Sequence, residues 1–281
     1  MLKASRRGPA ARIDWGTFGG LALAFGGILG GLVLEGGHIH DVAQITAAAI
    51  VFGGTLGAVL ISKPWDTIRG ACRRLKEVLI APDDPQVNEI SEHLIDLARQ
   101  VRRLGIASLE DEARKTQEPF LRKALGIAAD GIDSRELRHI MELEIDAEQK
   151  KIEAAAEVFE AGGGYAPTIG IIGAVLGLIQ VMKHLDHLEE VGRGIAVAFV
   201  ATVYGVALAN LLLLPIAAKI LARGKKSMEL RELILVGVMA VAAGTNPRMI
   251  QLQLDAFVSG RSAEEDPASK SAKSEKVAQI G

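Results

Sequence analysis

From Ile195 to Ala218 the chain reads IAVAFVATVYGVALANLLLLPIAA, without a single Asp, Glu, Lys or Arg. A helix needs about 20 mostly apolar residues to cross a bilayer, so this block decides the class of fold: it is a membrane span. Three further blocks match it, about Trp15–Leu34, about Val42–Ile61 and, weaker at its start, about Tyr165–Met182. None carries a charge in its central portion. One such block could be the buried helix of a large soluble core. Four in one chain exceed what a soluble domain normally holds. The first is too long for the apolar core of a signal peptide, and Glu35 follows it with no small-residue cleavage pattern, so it is expected to be retained.

Composition agrees. Of 281 residues, 49% are hydrophobic and 23% charged, and the mean hydropathy is +0.26. Those values coexist only in a mosaic of apolar and charged blocks, so the overall net charge of -2 says little. Aromatics are scarce at 4% and Gly is abundant at 31, which suits close-packed membrane helices. The lone cysteine, Cys72, excludes an internal disulfide. No Cys/His spacing resembles a metal site, and no cofactor is expected.

Lys and Arg set the orientation. Lys3, Arg6, Arg7 and Arg12 precede the first block; Lys63, Arg69, Arg73, Arg74 and Lys76 follow the second; Lys219, Arg223, Lys225, Lys226 and Arg231 follow the fourth. The loop Glu35–Asp41 has neither, and the loop between blocks three and four is mildly acidic. This places both termini and the long middle segment in the cytoplasm.

The fold class expected is therefore an all-α membrane protein: four transmembrane helices with a helical cytoplasmic domain between spans 2 and 3. The parts are a cytoplasmic N-terminus (1–14), spans 1 and 2 (15–61), the cytoplasmic domain (62–164), spans 3 and 4 (165–218), a cytoplasmic helical segment (219–258) and a disordered tail (259–281), the last for its Ser, Lys, Glu and Ala without apolar periodicity. Within the insert, Pro82–Pro85 breaks the chain and Ile90, Leu94, Leu97, Val101 and Leu104 define a helix over about 86–104. Gly105 fits its stop, and Ser108 with Asp111 fits the next start. Another helix runs from about Ser134 to Ala161, and Gly162–Gly164 is expected to interrupt the chain before the third span.

Nothing catalytic emerges. Gly162–Gly164 lacks the Lys-Ser/Thr ending of a phosphate loop, and the Ser and His residues have no triad spacing; no enzyme is expected. Glycine pairs at four-residue spacing, Gly16/Gly20, Gly26/Gly30, Gly27/Gly31, Gly53/Gly57 and Gly173/Gly177, let helices approach closely, within one chain or between copies. Ion translocation usually needs an ionisable group in the membrane. Here the polar membrane residues are neutral: Thr46, Thr55, Gln180, Thr202, Tyr204 and Asn210. The chain is either not a transporter, or a partner helix supplies the carboxylate. Thr202 can line a path or can bond back to the preceding helical turn.

Four stretches in order carry a resemblance: Phe52–Ala58 (FGGTLGA), Ala166–Leu178 (APTIGIIGAVLGL), Ala201–Gly205 (ATVYG) and Asn246–Arg248 (NPR). With the two-plus-two arrangement of spans they resemble the MotA/PomA family of flagellar motor stator subunits, over about Ile13–Phe257. The resemblance implies a homo-oligomeric ring, a pentamer, in the bacterial inner membrane around a MotB-like dimer that brings the proton-accepting aspartate, with torque delivered to the rotor protein FliG. Nucleic acid has no place in it. Matching the family's motifs residue by residue implies rotor contact at Arg102, Arg103 and Glu110, coupling hinges at Pro167 and Pro215, and an ion-path threonine at Thr202. Sodium-type members tend to carry a second threonine where this chain has Ala174, which implies H⁺. For Arg103 a plain solvated face, and for Pro215 a packing kink, remain open.

Three rivals remain. An ExbB/TolQ-type proton-channel subunit would have one span before the insert rather than two. A non-conducting membrane scaffold would need no MotB-like partner. A solitary transporter would need an intramembrane charge.

Overall fold

The computed structural model describes residues 12–81 and 87–265. The N-terminal residues before Arg12, the Pro82–Pro85 break and the tail beyond Glu265 lie outside the described residues. Within them the chain is helical apart from one two-residue antiparallel pair, β1 (Arg12–Ile13) with β2 (Ile80–Ala81), in which Arg12 pairs with Ala81. The helices are α1 (Trp15–Leu34), α2 (Ile39–Val42), α3 (Ile45–Ser62), α4 (Trp65–Leu79), α5 (Val87–Leu104), α6 (Ser108–Lys115), α7 (Pro119–Ala129), α8 (Ser134–Lys183), α9 (Leu188–Ala207), α10 (Leu214–Ala242) and α11 (Pro247–Glu265). A π-helical turn, Leu208–Leu213, joins α9 to α10. Four helical stretches are long and apolar enough to cross a membrane: Trp15–Leu34, Ile45–Ser62, one in Ser134–Lys183 and one in Glu189–Ala242.

The chain divides into two compact units, Met1–Asp83 with Gln149–Gly224 and Asp84–Glu148 with Lys225–Gly281. The first holds the spans. Its α3 packs on α9 through Ala47, Val51, Val200 and Ala201. A second cluster joins α4 to α8 through Ala71, Ala155 and Val158, beside an ion pair from Lys63 to Glu157 at 2.7 Å. No residue of α1 is buried.

The second unit has a core of the soluble kind. The stripe foreseen on α5 buries Ile90, Leu94 and Leu97. Around it lie Leu109 of α6, Phe120, Leu121 and Leu125 of α7, Leu137 and Met141 of α8, Leu233 and Ile234 of α10, and Ile250 and Leu254 of α11. Each such side chain contributes about 1.5–3 kcal/mol when taken from water. The Arg231 guanidinium stacks over the Phe120 ring at 5.2 Å. The chain after the fourth span thus contributes to this core.

Helix ends follow their residues. Gly105 stops α5 with φ +87°, its N–H donating to the Val101 carbonyl at 2.8 Å. Ser108 opens α6, yet its hydroxyl donates to the Gly105 carbonyl at 2.7 Å instead of capping the helix. Asn246 caps α11, its Oδ1 accepting from Arg248 N–H at 3.1 Å. That helix reaches Glu265, past the expected start of the tail at residue 259.

The largest departure is α8. It runs unbroken through Gly162–Gly164. Glycine inside a helix costs about 1 kcal/mol against alanine, which is why a break was expected. Here the missing side chains make room. A Cβ on Gly163 would lie 2.6 Å from a Leu214 methyl, and one on Gly162 would lie 3.1 Å from a Leu213 methyl.

Candidate functional site

Helices α8 and α9 meet in a seam of small residues. A Cβ on Gly205 would stand 2.5 Å from the Ala166 carbonyl oxygen, and one on Gly170 would stand 2.9 Å from that of Ala201. One on Gly177 would lie 2.8 Å from both the Gly194 oxygen and the Ala198 nitrogen. The two helices therefore touch backbone to backbone. In lipid, where no hydrophobic force separates helix from solvent, such van der Waals contact is what joins helices. Of the glycine pairs read from the sequence, Gly173/Gly177 lies in this seam. Around Gly20, Gly26, Gly27, Gly30, Gly31, Gly53 and Gly57 an added Cβ would meet nothing within 4 Å. Gly170, Gly194 and Gly205 were missed; the three-and-four spacing of small residues over 170–177 and 194–205 was the available signal.

Thr202 and Ala174 stand on the two sides of this seam, both half-buried. The Thr202 hydroxyl donates to the Ala198 carbonyl at 3.2 Å, so in this state it is turned back onto its own helix and its oxygen lone pairs remain available. Two residues on, the Tyr204 hydroxyl donates to the Val42 carbonyl at 2.5 Å and accepts from Gln44 N–H at 3.4 Å. It fastens the fourth span to the entry of α3. Nothing local in the sequence announces that tie, because its partners are backbone atoms some 160 residues away.

The two prolines are linked by one contact. Pro167 lies inside α8 and cannot donate to the carbonyl of Gly163, four residues back. Gly163 is the residue packed against Leu214, immediately before Pro215. On that side the π turn Leu208–Leu213 widens the hydrogen-bond ladder, with Leu214 N–H donating to the Ala209 carbonyl. The widening sits where the ring of Pro215 would otherwise crowd the preceding turn. Asn210 in the π turn donates its side-chain amide to the Val206 carbonyl at 3.0 Å.

At the start of α1, Asp14 caps the helix by accepting from Thr17 N–H at 3.1 Å. The same carboxylate faces Lys219 at 2.5 Å and Arg223 at 2.6 Å, and Lys219 also reaches the Thr17 hydroxyl. Lys219 above all, then the Thr17 N–H and Arg223, hold the Asp14 carboxyl far below the usual carboxylate range against the opposing effect of burial. In the sequence Lys219 and Arg223 signal only orientation, and nothing local marks Asp14.

In the second unit, Arg102 and Arg103 end α5 and Glu110 lies in the first turn of α6, on either side of the Gly105 turn and all exposed. Glu110 pairs with Arg114 at 2.6 Å, and Arg103 donates to the Arg99 carbonyl at 3.3 Å. Among the described residues no group of three or more His, Cys, Asp or Glu could hold a metal ion.

Four apolar spans, two of them joined backbone to backbone and none charged at its centre, define a multi-pass helical membrane protein. Residues 112–233 match the model of the MotA/TolQ/ExbB proton channel family, and residues 18–105 that of the motility protein A N-terminal region. The chain is 33% identical to motility protein A of Bacillus subtilis (strain 168), over 84% of this chain and 87% of that one. A chain in the structure of C. jejuni MotAB matches with a TM-score of 0.82 and 30% identity, over 87% of this chain and 96% of that one. A chain of the flagellar MotAB stator complex from Bacillus subtilis matches with a TM-score of 0.80 and 32% identity, over 86% and 95%. The chain belongs to the MotA/TolQ/ExbB proton channel family, with the motility protein A relatives.

Proposed function

We propose that this chain is the MotA-type subunit of a flagellar motor stator, which with a MotB-like partner conducts ions, H⁺ by preference, across the inner membrane and turns the flux into torque on FliG. The observation that carries the reading is the pairing of a tightly joined α8–α9 seam bearing Thr202 with spans that lack any central carboxylate. Such spans require a partner helix to bring the titrating group. The similarity to chains of MotAB complexes supports a MotB-like partner and an oligomer; five copies is the number we adopt. The distribution of Lys and Arg supports cytoplasmic termini and a cytoplasmic second unit. Gly163 and Leu214, between Pro167 and Pro215, form the contact through which movement of α8 and α10 would be coupled.

The deciding experiment is motility of a deletion strain complemented with this gene, with and without sodium and with a proton uncoupler. Swimming that survives sodium removal and stops with the uncoupler is the expected result. A sodium requirement would keep the stator and overturn the inference from Ala174. An unchanged deletion strain would point to redundancy or to an ExbB/TolQ-type role, which a partner pull-down would separate.

Two residue tests follow. Arg102→Glu and Glu110→Lys should each reduce torque by more than half while membrane insertion and ring assembly stay normal, because both side chains are exposed and bury nothing. Normal swimming in both would end the rotor-contact assignment. Thr202→Val keeps the shape of the side chain and removes its oxygen. It should lower ion-driven swimming severalfold with the thermal midpoint of the purified protein unchanged, since a hydroxyl bonded to its own helical turn adds little stability. Unchanged swimming would return Thr202 to packing alone.

A further inference from the structure

Away from the Thr202 side of the seam, a partly open groove of about 620 Å³ lies between the start of α3, the end of α8 and the start of α9. Its wall carries the apolar Ile50, Leu176, Ile179 and Val197, with Thr46 and Gln180 as its neutral polar groups. Its rim, at the turn between the last two spans, is charged: Lys183, His184, Glu190 and Arg193. Glu190 is turned to His184, 3.3 Å from Nε2, and His184 Nδ1 lies 3.0 Å from the Gln180 carbonyl oxygen. Lys183 and Arg193 have neither an ion pair nor a hydrogen bond among the described residues. Two exposed cations on neighbouring helices thus overlook one groove, and the rim's one carboxylate, Glu190, is turned to His184 rather than to either of them.

We infer that this groove binds an anionic phospholipid, its headgroup phosphate between Lys183 and Arg193 and an acyl chain along Leu176, Ile179 and Val197. The polarity of the groove runs as that of a phospholipid does. From Leu176 to Lys183 the helix rises about 10 Å, passing from apolar wall to cationic rim at the end of a membrane span. Arginine's planar fork matches phosphate oxygens with two parallel hydrogen bonds, and lysine adds a compact second charge. A zwitterionic lipid would bring its own cation to a rim where two cations already outnumber the one carboxylate, Glu190. A second copy of the chain is the rival occupant. The inference rests on the membrane spans and not on the stator function, and its test reads no motility.

The test uses the full chain, purified with the partner it assembles with, in mild detergent. Retained phosphatidylglycerol and phosphatidylcholine are measured by native mass spectrometry. Preferential retention of phosphatidylglycerol is expected, falling about twenty-fivefold in K183Q/R193Q at about fivefold per cation, and unchanged in Lys150→Gln, which removes a cation outside the groove. The single variants Lys183→Gln and Arg193→Gln serve if the double variant does not fold, each with about a fivefold loss. Equal retention of the two lipids, or phosphatidylglycerol retention unaffected by these variants, would overturn the proposal. Displacement of the lipid by glycerol 3-phosphate alone, with no preference between the two lipids, would assign the rim to free phosphate instead. Cross-linking of Ile179→Cys between copies in native membranes, in a Cys72→Ser background, would assign the groove to a second copy.

Discussion

Gly205→Ala is expected to prevent the last two spans from packing and so to abolish assembly of the complex. On propensity alone the change should help, since alanine is favoured over glycine inside a helix by about 1 kcal/mol. The seam reverses the sign. The new Cβ would sit 2.5 Å from the Ala166 carbonyl oxygen and 3.1 Å from the Gly170 Cα. Both are backbone atoms, so no side chain can swing away, and the helices must separate along their length. Overpacking of this kind costs about 1–3 kcal/mol, and occasionally more; separation would also weaken the approach of Gly170 to Ala201 and of Gly177 to Gly194. Gly53→Ala is the control, because there an added Cβ meets nothing within 4 Å. Yield of the intact complex on size exclusion is the measurement. A Gly205→Ala protein that assembles as well as Gly53→Ala would show that the seam has slack.

Asp14→Asn is expected to release the first span. That helix buries no residue within the subunit, while Asp14, Lys219 and Arg223 are only 19%, 28% and 22% exposed. Asparagine keeps the shape and the cap but leaves two half-buried cations facing a neutral group. The loss should be about 1.5–3 kcal/mol, the usual contribution of a hydrogen bond to a charged group. Thermal unfolding of the purified complex should show it, and Asp14→Lys combined with Lys219→Asp should recover part of it. The pH dependence has a definite sign. A carboxyl whose folded pKa is lowered stabilises the protein fully above its ordinary value of 3.8 and loses that contribution as the pH falls through the lower folded value. Wild type and Asn variant should therefore differ most at neutral pH and converge in strong acid. A constant difference down to strong acid would mean that the charge of Asp14 is not what holds the helix.

The family could be read early because its marks are contiguous. Ala166–Leu178 and Ala201–Gly205 carry both the resemblance and most of the seam, although only Gly173 and Gly177 among the seam glycines stand out by their spacing. Thr202 and Ala174 could be named for the same reason. Tyr204 could only be noted as polar, since its anchor is the backbone near Val42 and Gln44. Asp14 was passed over because its partners lie more than 200 residues on. The interruption expected at Gly162–Gly164 reflected a real cost of glycine in a helix. It failed because Leu213 and Leu214, far along the chain, pack where side chains would have stood.

The sequence by itself determined that there are four spans, which of their ends carry positive charge, that the rest is helical, and that no span holds its own central carboxylate. These follow from local composition and period, and lipid admits few alternatives. Only the tertiary structure decided which glycines are contacts and which stand open, that the chain after the fourth span completes the core begun by α5 to α7, and that one carboxylate at the head of α1 ties it to the fourth span. Each of these depends on which distant backbone or side-chain atom comes within about 3 Å of a hydrogen-bonding group. Residue type and spacing do not carry that information until the helices are packed.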